Sequence, residues 1–568
     1  PEVLLAANEQ VRILLVTCRP GGARDVPYRS VAVRLLRNVE ASGNVRLDVL
    51  RPPTFEALSD TLRAAHTRGE PFHVVHFDGH GTHTDLHDLF EQWEEMAREA
   101  LDRHVEDTAG TANPRRYTPG SLHLFYPHTA RPGNRGYLVF ENAGVNAIPR
   151  MVDGDELGAL LHGAGVPILI LNACRSDRSD GASASDAVGS GEGDAEALVS
   201  QEQPYAFSSF AQEVLRLGVS GIVAMRHSVL VETAVEFVED LYNHLLGGST
   251  LGDAASQGRK GLRDHPLRDA LDQRRPLQDW SVPVVYEQTP LALRPPVASG
   301  HGPPKLIITT PTEGDTPSSI DAALPGAPDL GFIGRDATLL ALDRAFDAHS
   351  VVLLHGDAGK GKTTAVAEFA RWYSKTHGID GPILFSSFER YLPLERVLDK
   401  FGEVFASSLE ASGVPWQTVT GEGQRRALAL QVLGQIPVLW VWDNVEPVTG
   451  FPRNTESAWT EEEQAALRSF LHEASAAGTK FLLTSRRPER WLGDLTHRIG
   501  IPRMPMRDRA ALLRQLASRR GSPVEDIKRW RPLLDFSDGN PLALRVSAGL
   551  AIEARCDSEE DVTKFVGR

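Results

Sequence analysis

The stretch LILNACRSD, residues 169–177, carries a cysteine to the point where an apolar run gives way to small and charged residues. FHVVHFDGHG, residues 72–81, does the same with a histidine. A thiolate is a nucleophile, and an imidazole can take its proton or hold it as an ion pair. His80 and Cys174 are therefore a candidate base and nucleophile. Gly81 follows His80 directly, and with no Cβ in the way its N–H can approach a developing oxyanion. The N–H of Cys174 is a second candidate donor. Cysteine is also among the most buried residue types, so the residues alone leave a core role and a catalytic role equally open. Cys18 ends the strand VRILLVTC (11–18) with no His-Gly partner and reads as core. His76, before the expected turn at Gly81, and His83, just beyond it, read as structural or loop residues.

A second constellation is GDAGKGKT, residues 356–363, between the apolar run SVVLLH and the amphipathic TTAVAEFARWY. Glycines at these positions let successive backbone N–H groups curl round a phosphate, and the helix that follows adds its positive end. The expected nucleotide contacts are Gly356, Gly359, Lys360, Gly361, Lys362, Thr363 and Thr364. Lys362 would reach the β and γ phosphates and the Thr363 hydroxyl would ligate Mg²⁺. PVLWVWDNVEP (437–447) ends a buried strand on Asp443, a second Mg²⁺ anchor. KFLLTSRRPE (480–489) ends on Thr484, Ser485 and Arg486; Arg486 reads either as a γ-phosphate sensor or as a solvated strand end.

These residues need strands to deliver them. Strands that are apolar almost throughout alternate with helical patterns: VRILLVTC, a helix over 30–41, VRLDVLR, a Thr-capped helix over 54–69, and so on to VPILILNAC and VSGIVAMRH. That pattern predicts an α/β fold with parallel sheets covered on both faces, and catalysts at the carboxyl ends of the strands. The chain of 568 residues is too long for one core. SDRSDGASASDAVGSGEGDAEALVSQEQ (176–203), nearly free of large apolar residues, predicts a mobile loop directly after Cys174. Residues 288–330, dense in Pro, Gly, Ser and Thr, predict a linker between units at 1–287 and from about 331. Net charge is −15, which argues against nucleic acid or an anionic membrane as partner. Three scattered cysteines suit a reducing, cytoplasmic setting, and no apolar run reaches the length of a membrane span. The first residue is Pro1, so a processed N-terminus is expected.

In order and spacing, HFDGHG, a long insert, LNACRSD and the later LGVSGIVAMRHSVLVETAVEFVEDLYNHLLGG resemble the CHAT domain, of the caspase–separase class of cysteine proteases. The resemblance spans roughly residues 10–287. It implies that His80 is the general base, Cys174 the nucleophile and Gly81 an oxyanion donor. It also implies that the 176–203 loop shapes the active site and orders on activation. AMRHS departs from the Ala-Ser-Leu-Trp-like sequence usual in that family, so substrate preference does not carry over.

GFIGRDATLLALDRAF, the P-loop, the Asp443 strand, Thr-Ser-Arg and FSDGNPLALRVSAGL together resemble a STAND-type ATPase of the NB-ARC kind over residues 331–555. That resemblance implies ATP or ADP with Mg²⁺ as ligands. It places Ile333 and Arg335 near the adenine or phosphates, and Pro541 by the base. The nucleotide-binding unit would span 331–500 and a helical lid 501–568, with a winged helix and sensor repeats expected beyond Arg568. Asn444 stands where many relatives have a second acid, and Glu446 is three residues past Asp443, which predicts slow hydrolysis. The fusion implies a nucleotide-switched cysteine endopeptidase of bacterial defence or programmed cell death. An unknown trigger would drive self-association and so activate the protease towards a protein substrate. Two rivals are a catalytically silent CHAT scaffold and a STAND transcription regulator. The latter needs a DNA-binding helix pair and a basic face, neither of which is found.

Overall fold

The computed structural model describes residues 10–20, 45–84, 135–142, 149–174, 206–226, 230–270, 273–293, 320–451, 456–522, 526–556 and 558–567, with residues 28, 29, 33, 35, 133 and 524 between them. The expected 176–203 loop, most of the 30–41 helix and residues 294–319 of the expected linker lie outside the described residues.

The first unit runs β1 (Val11–Thr17), β2 (Val45–Val49), α1 (Phe55–Thr67), β3 (Val74–Thr84), β4 (Arg135–Phe140), β5 (Arg150–Asp153), α2 (Gly154–Gly163), β6 (Ile168–Cys174), α3 (Ala206–Arg216), β7 (Gly221–Met225), α4 (Val231–Leu246), α5 (Leu251–Asp264), β8 (Leu267–Ala270), β9 (Gln273–Pro276) and β10 (Pro283–Glu287). Eight of these strands form one sheet, in the order β10-β7-β6-β3-β1-β2, with β4 on β3 and β5 on β4. β1, β2, β3, β6 and β7 are parallel, as continuous apolar runs require when both faces are covered. Ile13, Leu15, Ile168 and Ile170 face α4 and α5, in one core with Phe237 and Leu241. Leu14, Val16, Leu169 and Leu171 pack on the other face with Leu58, Leu161 and Phe210 of α1, α2 and α3. Thr54 starts α1, its side chain accepting from the Ala57 N–H at 3.1 Å.

Two features differ from the sequence reading. The sheet carries antiparallel strands, β4, β5 and β10, on its parallel centre. In addition, β3 does not end in a turn at Gly81 but continues to Thr84. The antiparallel β4 supplies its ladder partners, from His80 opposite Val139 to Thr84 opposite Arg135. Position 83 is thus in a strand, not a loop.

The second unit is a five-stranded, wholly parallel sheet in the order β12-β13-β14-β11-β15. Its elements are α6 (Asp336–Ala348), β11 (Val351–His355), α7 (Lys362–Lys375), β12 (Ile383–Ser387), α8 (Leu394–Ala411), α9 (Glu422–Leu433), β13 (Leu439–Asp443), α10 (Glu461–Ala476), β14 (Lys480–Ser485) and β15 (His497–Gly500). Four further helices, α11 (Met506–Arg519), α12 (Arg531–Phe536), α13 (Pro541–Glu553) and α14 (Glu559–Val566), close round their own core of Leu513, Leu533, Leu544 and Val562. The chain is α/β throughout, with a helical end.

The units share a seam. Tyr28 of the first packs edge-on to Trp372 of α7 at 6.0 Å between ring centres. Fully buried Asp343 of α6 accepts from the Tyr28 hydroxyl and pairs with Arg51 Nε at 2.8 Å. Arg29 reaches Glu368 of α7 at 2.8 Å. Burial alone would push the Asp343 carboxyl up, but Arg51, Arg344 and the Tyr28 hydroxyl outweigh it and hold it below the usual range.

Candidate functional site

Strands β3 and β6 run parallel in an unbroken register from Val74 opposite Ile168 to His80 opposite Cys174. Neighbouring strands lie about 4.8 Å apart, and positions in register share a face of the sheet. The backbone therefore brings the two residues that the sequence singled out to adjacent points on the α4 and α5 face. Gly81 is buried and opposite Leu138 of β4.

The row behind them is polar. Asp78 and Asn172 are in register one pleat earlier. The Asn172 Nδ2 donates to Asp78 Oδ1 at 2.8 Å, and Arg19 Nη2 pairs with Asp78 Oδ2 at 2.6 Å. Asp78, Asn172 and Arg19 are all buried. Asn172 Oδ1 is also buried and has no partner among the described residues. Sequence reading missed this row; DGH and LNA show the residues, but not that they stand in register.

Cys18 and His76 are packed into the core. Burial pushes the Cys18 thiol well up, and its Sγ lies 3.4 Å from the Pro53 carbonyl. His76 is fully buried, stacked on Tyr242 of α4, with Nδ1 3.2 Å from the phenol oxygen. Burial pushes its imidazole down to about 4.

In the second unit, the loop between β11 and α7 has left-handed glycines at Gly359 (φ 76°) and Gly361 (φ 81°). A side chain on Gly359 would also come within 2.8 Å of Asn540. Lys362 is buried and its ammonium donates to the carbonyls of Gly356 (2.7 Å) and Asp357 (3.0 Å). Thr363 Oγ1 lies 3.0 Å from both carboxylate oxygens of Asp443, which ends β13. A hydroxyl beside a carboxylate is the hard-oxygen donor set that Mg²⁺ takes with phosphate oxygens. Among the described residues no cluster of His, Cys, Asp and Glu could hold a metal without such help. Lys360 pairs with Asp357 within the loop at 2.8 Å, and Thr364 follows half-buried on α7.

The remaining predicted contacts are distributed differently. Arg335 is buried and spends its guanidinium on the carbonyls of Pro502 and Lys360, bracketing the loop to the helical end. Ile333 packs on the helical core. Pro541 faces the P-loop, 4.0 Å from where a Cβ on Gly361 would be. Its neighbour Asn540 donates to the Ala358 carbonyl at 3.1 Å. Arg486 is not free at the strand end: its Nε pairs with Glu446 at 3.0 Å.

Glu446, three residues past Asp443, lies close to the loop. Asn444 takes a left-handed turn at φ 59°, and its Nδ2 turns back onto Asp443 Oδ2 at 3.1 Å. The chain then brings Glu446, 3% exposed, to the site. Burial depresses the Lys362 ammonium, and Glu446 is the largest charge opposing that effect. Glu446 Oε2 is buried with no partner among the described residues.

Residues 6–288 match the CHAT domain. Several solved structures are similar to part of the chain. A Walker-type ATPase of Pyrococcus abyssi is 12% identical, with 43% of this chain and 73% of that one covered and a TM-score of 0.31. A STAND protein with a tetratricopeptide repeat sensor from Pyrococcus horikoshii is 14% identical, with 39% and 30% covered and a TM-score of 0.26. Domain III of the replication initiation protein DnaA from Thermotoga maritima is 12% identical, with 43% and 98% covered and a TM-score of 0.29. Among curated proteins there is no match. The first unit thus matches the CHAT domain, and the second is an α/β unit carrying the P-loop sequence. Among the described residues no helix is long and apolar enough to cross a membrane.

Proposed function

We propose that the chain is a cysteine endopeptidase whose CHAT unit is governed by nucleotide bound at the P-loop. The observation that carries this reading is the register of His80 with Cys174 where the parallel pairing of β3 and β6 ends. In the proposed reaction His80 takes the Cys174 proton and the thiolate attacks a peptide carbonyl. Backbone N–H groups of Gly81 and Cys174 hold the oxyanion. The imidazolium then gives its proton to the leaving amine, and water attacks the thioester, releasing the acid and restoring the thiol. In the second unit, loop N–H groups and Lys362 would hold ATP or ADP phosphates. Thr363 and Asp443 would hold Mg²⁺, which supplies charge neutralisation at the β and γ phosphates when bound. Self-association of the ATP form and a protein substrate complete the reading. A place in bacterial defence or programmed cell death rests on the family resemblance alone.

The test compares wild type with Cys174→Ala in a bacterial lysate with Mg²⁺ and either ATP or ADP, reading new protein N-termini by mass spectrometry. Termini that need Cys174 and differ between nucleotides are the expected result. Identical sets in both proteins, including after forced dimerisation, would support the silent scaffold instead.

A further inference from the structure

The nucleotide-binding unit reaches the floor of the cysteine site through two ion pairs joined by a hydrogen bond to a backbone N–H. Arg344 of α6 places Nη2 2.8 Å from Glu141 Oε1 and 3.2 Å from the Thr17 carbonyl, at the end of β1. The same Glu141 oxygen accepts the Arg19 N–H at 2.7 Å. The Arg19 guanidinium donates to the Asp78 carbonyl at 2.7 Å and pairs with its carboxylate. Asp78 holds Asn172, and this row lies one pleat behind His80 and Cys174.

We propose that Arg344 is a positioning residue for the His80–Cys174 pair, acting through Glu141, Arg19 and Asp78, so that docking of the nucleotide-binding unit keeps Cys174 reactive. The inference rests on the reading of that pair as catalytic. Its logic is one of charge. With Arg344 present, Glu141 has its own cation and Arg19 is left to neutralise Asp78. Without Arg344, Glu141 still holds the Arg19 N–H but its carboxylate has lost that counter-charge. The stranded carboxylate adds negative charge that Arg19, already paired with Asp78, alone has to offset. Asp78 becomes less neutralised, and negative charge near a thiol favours its protonated form. The CHAT unit would therefore lose reactivity on separation from the nucleotide-binding unit, and nucleotide-driven movement of α6 would be felt at Cys174.

The test follows alkylation of Cys174 by iodoacetamide in the full chain, by peptide mass spectrometry, at a pH on the rising limb of the wild-type profile, where the rate follows the thiolate fraction. Buried Cys18 and Cys556 serve as internal controls for the fold. Arg344→Met is expected to slow Cys174 about tenfold, the effect of one unit in thiol pKa. Arg344→Lys should keep most of the wild-type rate. Adding Glu141→Gln to Arg344→Met should restore it, because the amide keeps the acceptor for Arg19 and removes the stranded charge. A merely structural loss would not be rescued in that way. If Arg344→Met does not fold, which reaction of Cys18 would reveal, Arg344→Gln is judged by the same criteria. A wild-type rate in Arg344→Met (or in Arg344→Gln where Met does not fold), or no rescue by Glu141→Gln, overturns the inference. If instead His80→Ala reacts at Cys174 as fast as wild type, the catalytic reading itself has failed, and this inference with it.

Discussion

Replacement of Asp343 by alanine tests whether the two units are held as one body. The carboxylate is fully buried in α6 of the second unit, while Tyr28 and Arg51 come from the first. Alanine leaves the Arg51 guanidinium, with a side chain only 9% exposed, without its carboxylate, and the Tyr28 hydroxyl without its acceptor. Removing one partner of a buried pair costs about 3–5 kcal/mol, against a total stability of about 5–15 kcal/mol for an ordinary domain. The loss falls on the seam, so a single urea transition is expected to split into two and protease to cut first between residues 288 and 330. Asp380→Ala is the control. Asp380 pairs with His377 at the surface, and its loss should cost less than about 1 kcal/mol. Asp343 is held below the usual carboxylate range, so its contribution is present above that range. It is lost as pH falls through the lowered folded value. Asp343→Ala within about 1 kcal/mol of wild type, with one unsplit transition, would refute the seam.

Two further predictions follow from the buried groups. Glu446 Oε2 is buried near Lys362 with no partner among the described residues; acting as general base for ATP hydrolysis, it would make Glu446→Gln slow that reaction by about 10²–10⁴-fold. Protein purified after incubation with ATP would then retain ATP, and recovery of ADP at the wild-type level would contradict this role. His76→Phe should remove a pH-dependent part of stability. The imidazole falls from its usual value to about 4 on folding, so stability is complete above pH 6.5 and declines as pH drops towards 4, by about 3 kcal/mol in all. Urea midpoints of both proteins near neutrality and near pH 4.5 measure the difference, and equal slopes would count against it.

The α/β class and the choice of His80 and Cys174 as candidates came from local pattern; that β3 and β6 are neighbours did not. An apolar run ending in LNAC announces a buried strand and its carboxyl end, and the P-loop glycines announce a turn that only they can make. Partners distant in sequence were not legible. β3 continues past Gly81 because β4 pairs with it, and the residues of β4 give no sign of that choice. Glu446 is three residues past Asp443 along the chain. The left-handed Asn444 shortens that path, and asparagine tolerates this conformation better than most. The seam through Tyr28, Arg51 and Asp343 joins residues some three hundred positions apart. In the sequence each is an ordinary polar residue, and only the fold reveals that Asp343 needs a counter-charge.

The most direct test of the central claim is the rate of Cys174 alkylation across pH in wild type and His80→Ala. If His80 and Cys174 act as a pair, wild type should react well below the ordinary thiol range, near pH 8.5, and His80→Ala should move the profile up to that range. Superimposable profiles, both those of a simple thiol, would contradict the pairing.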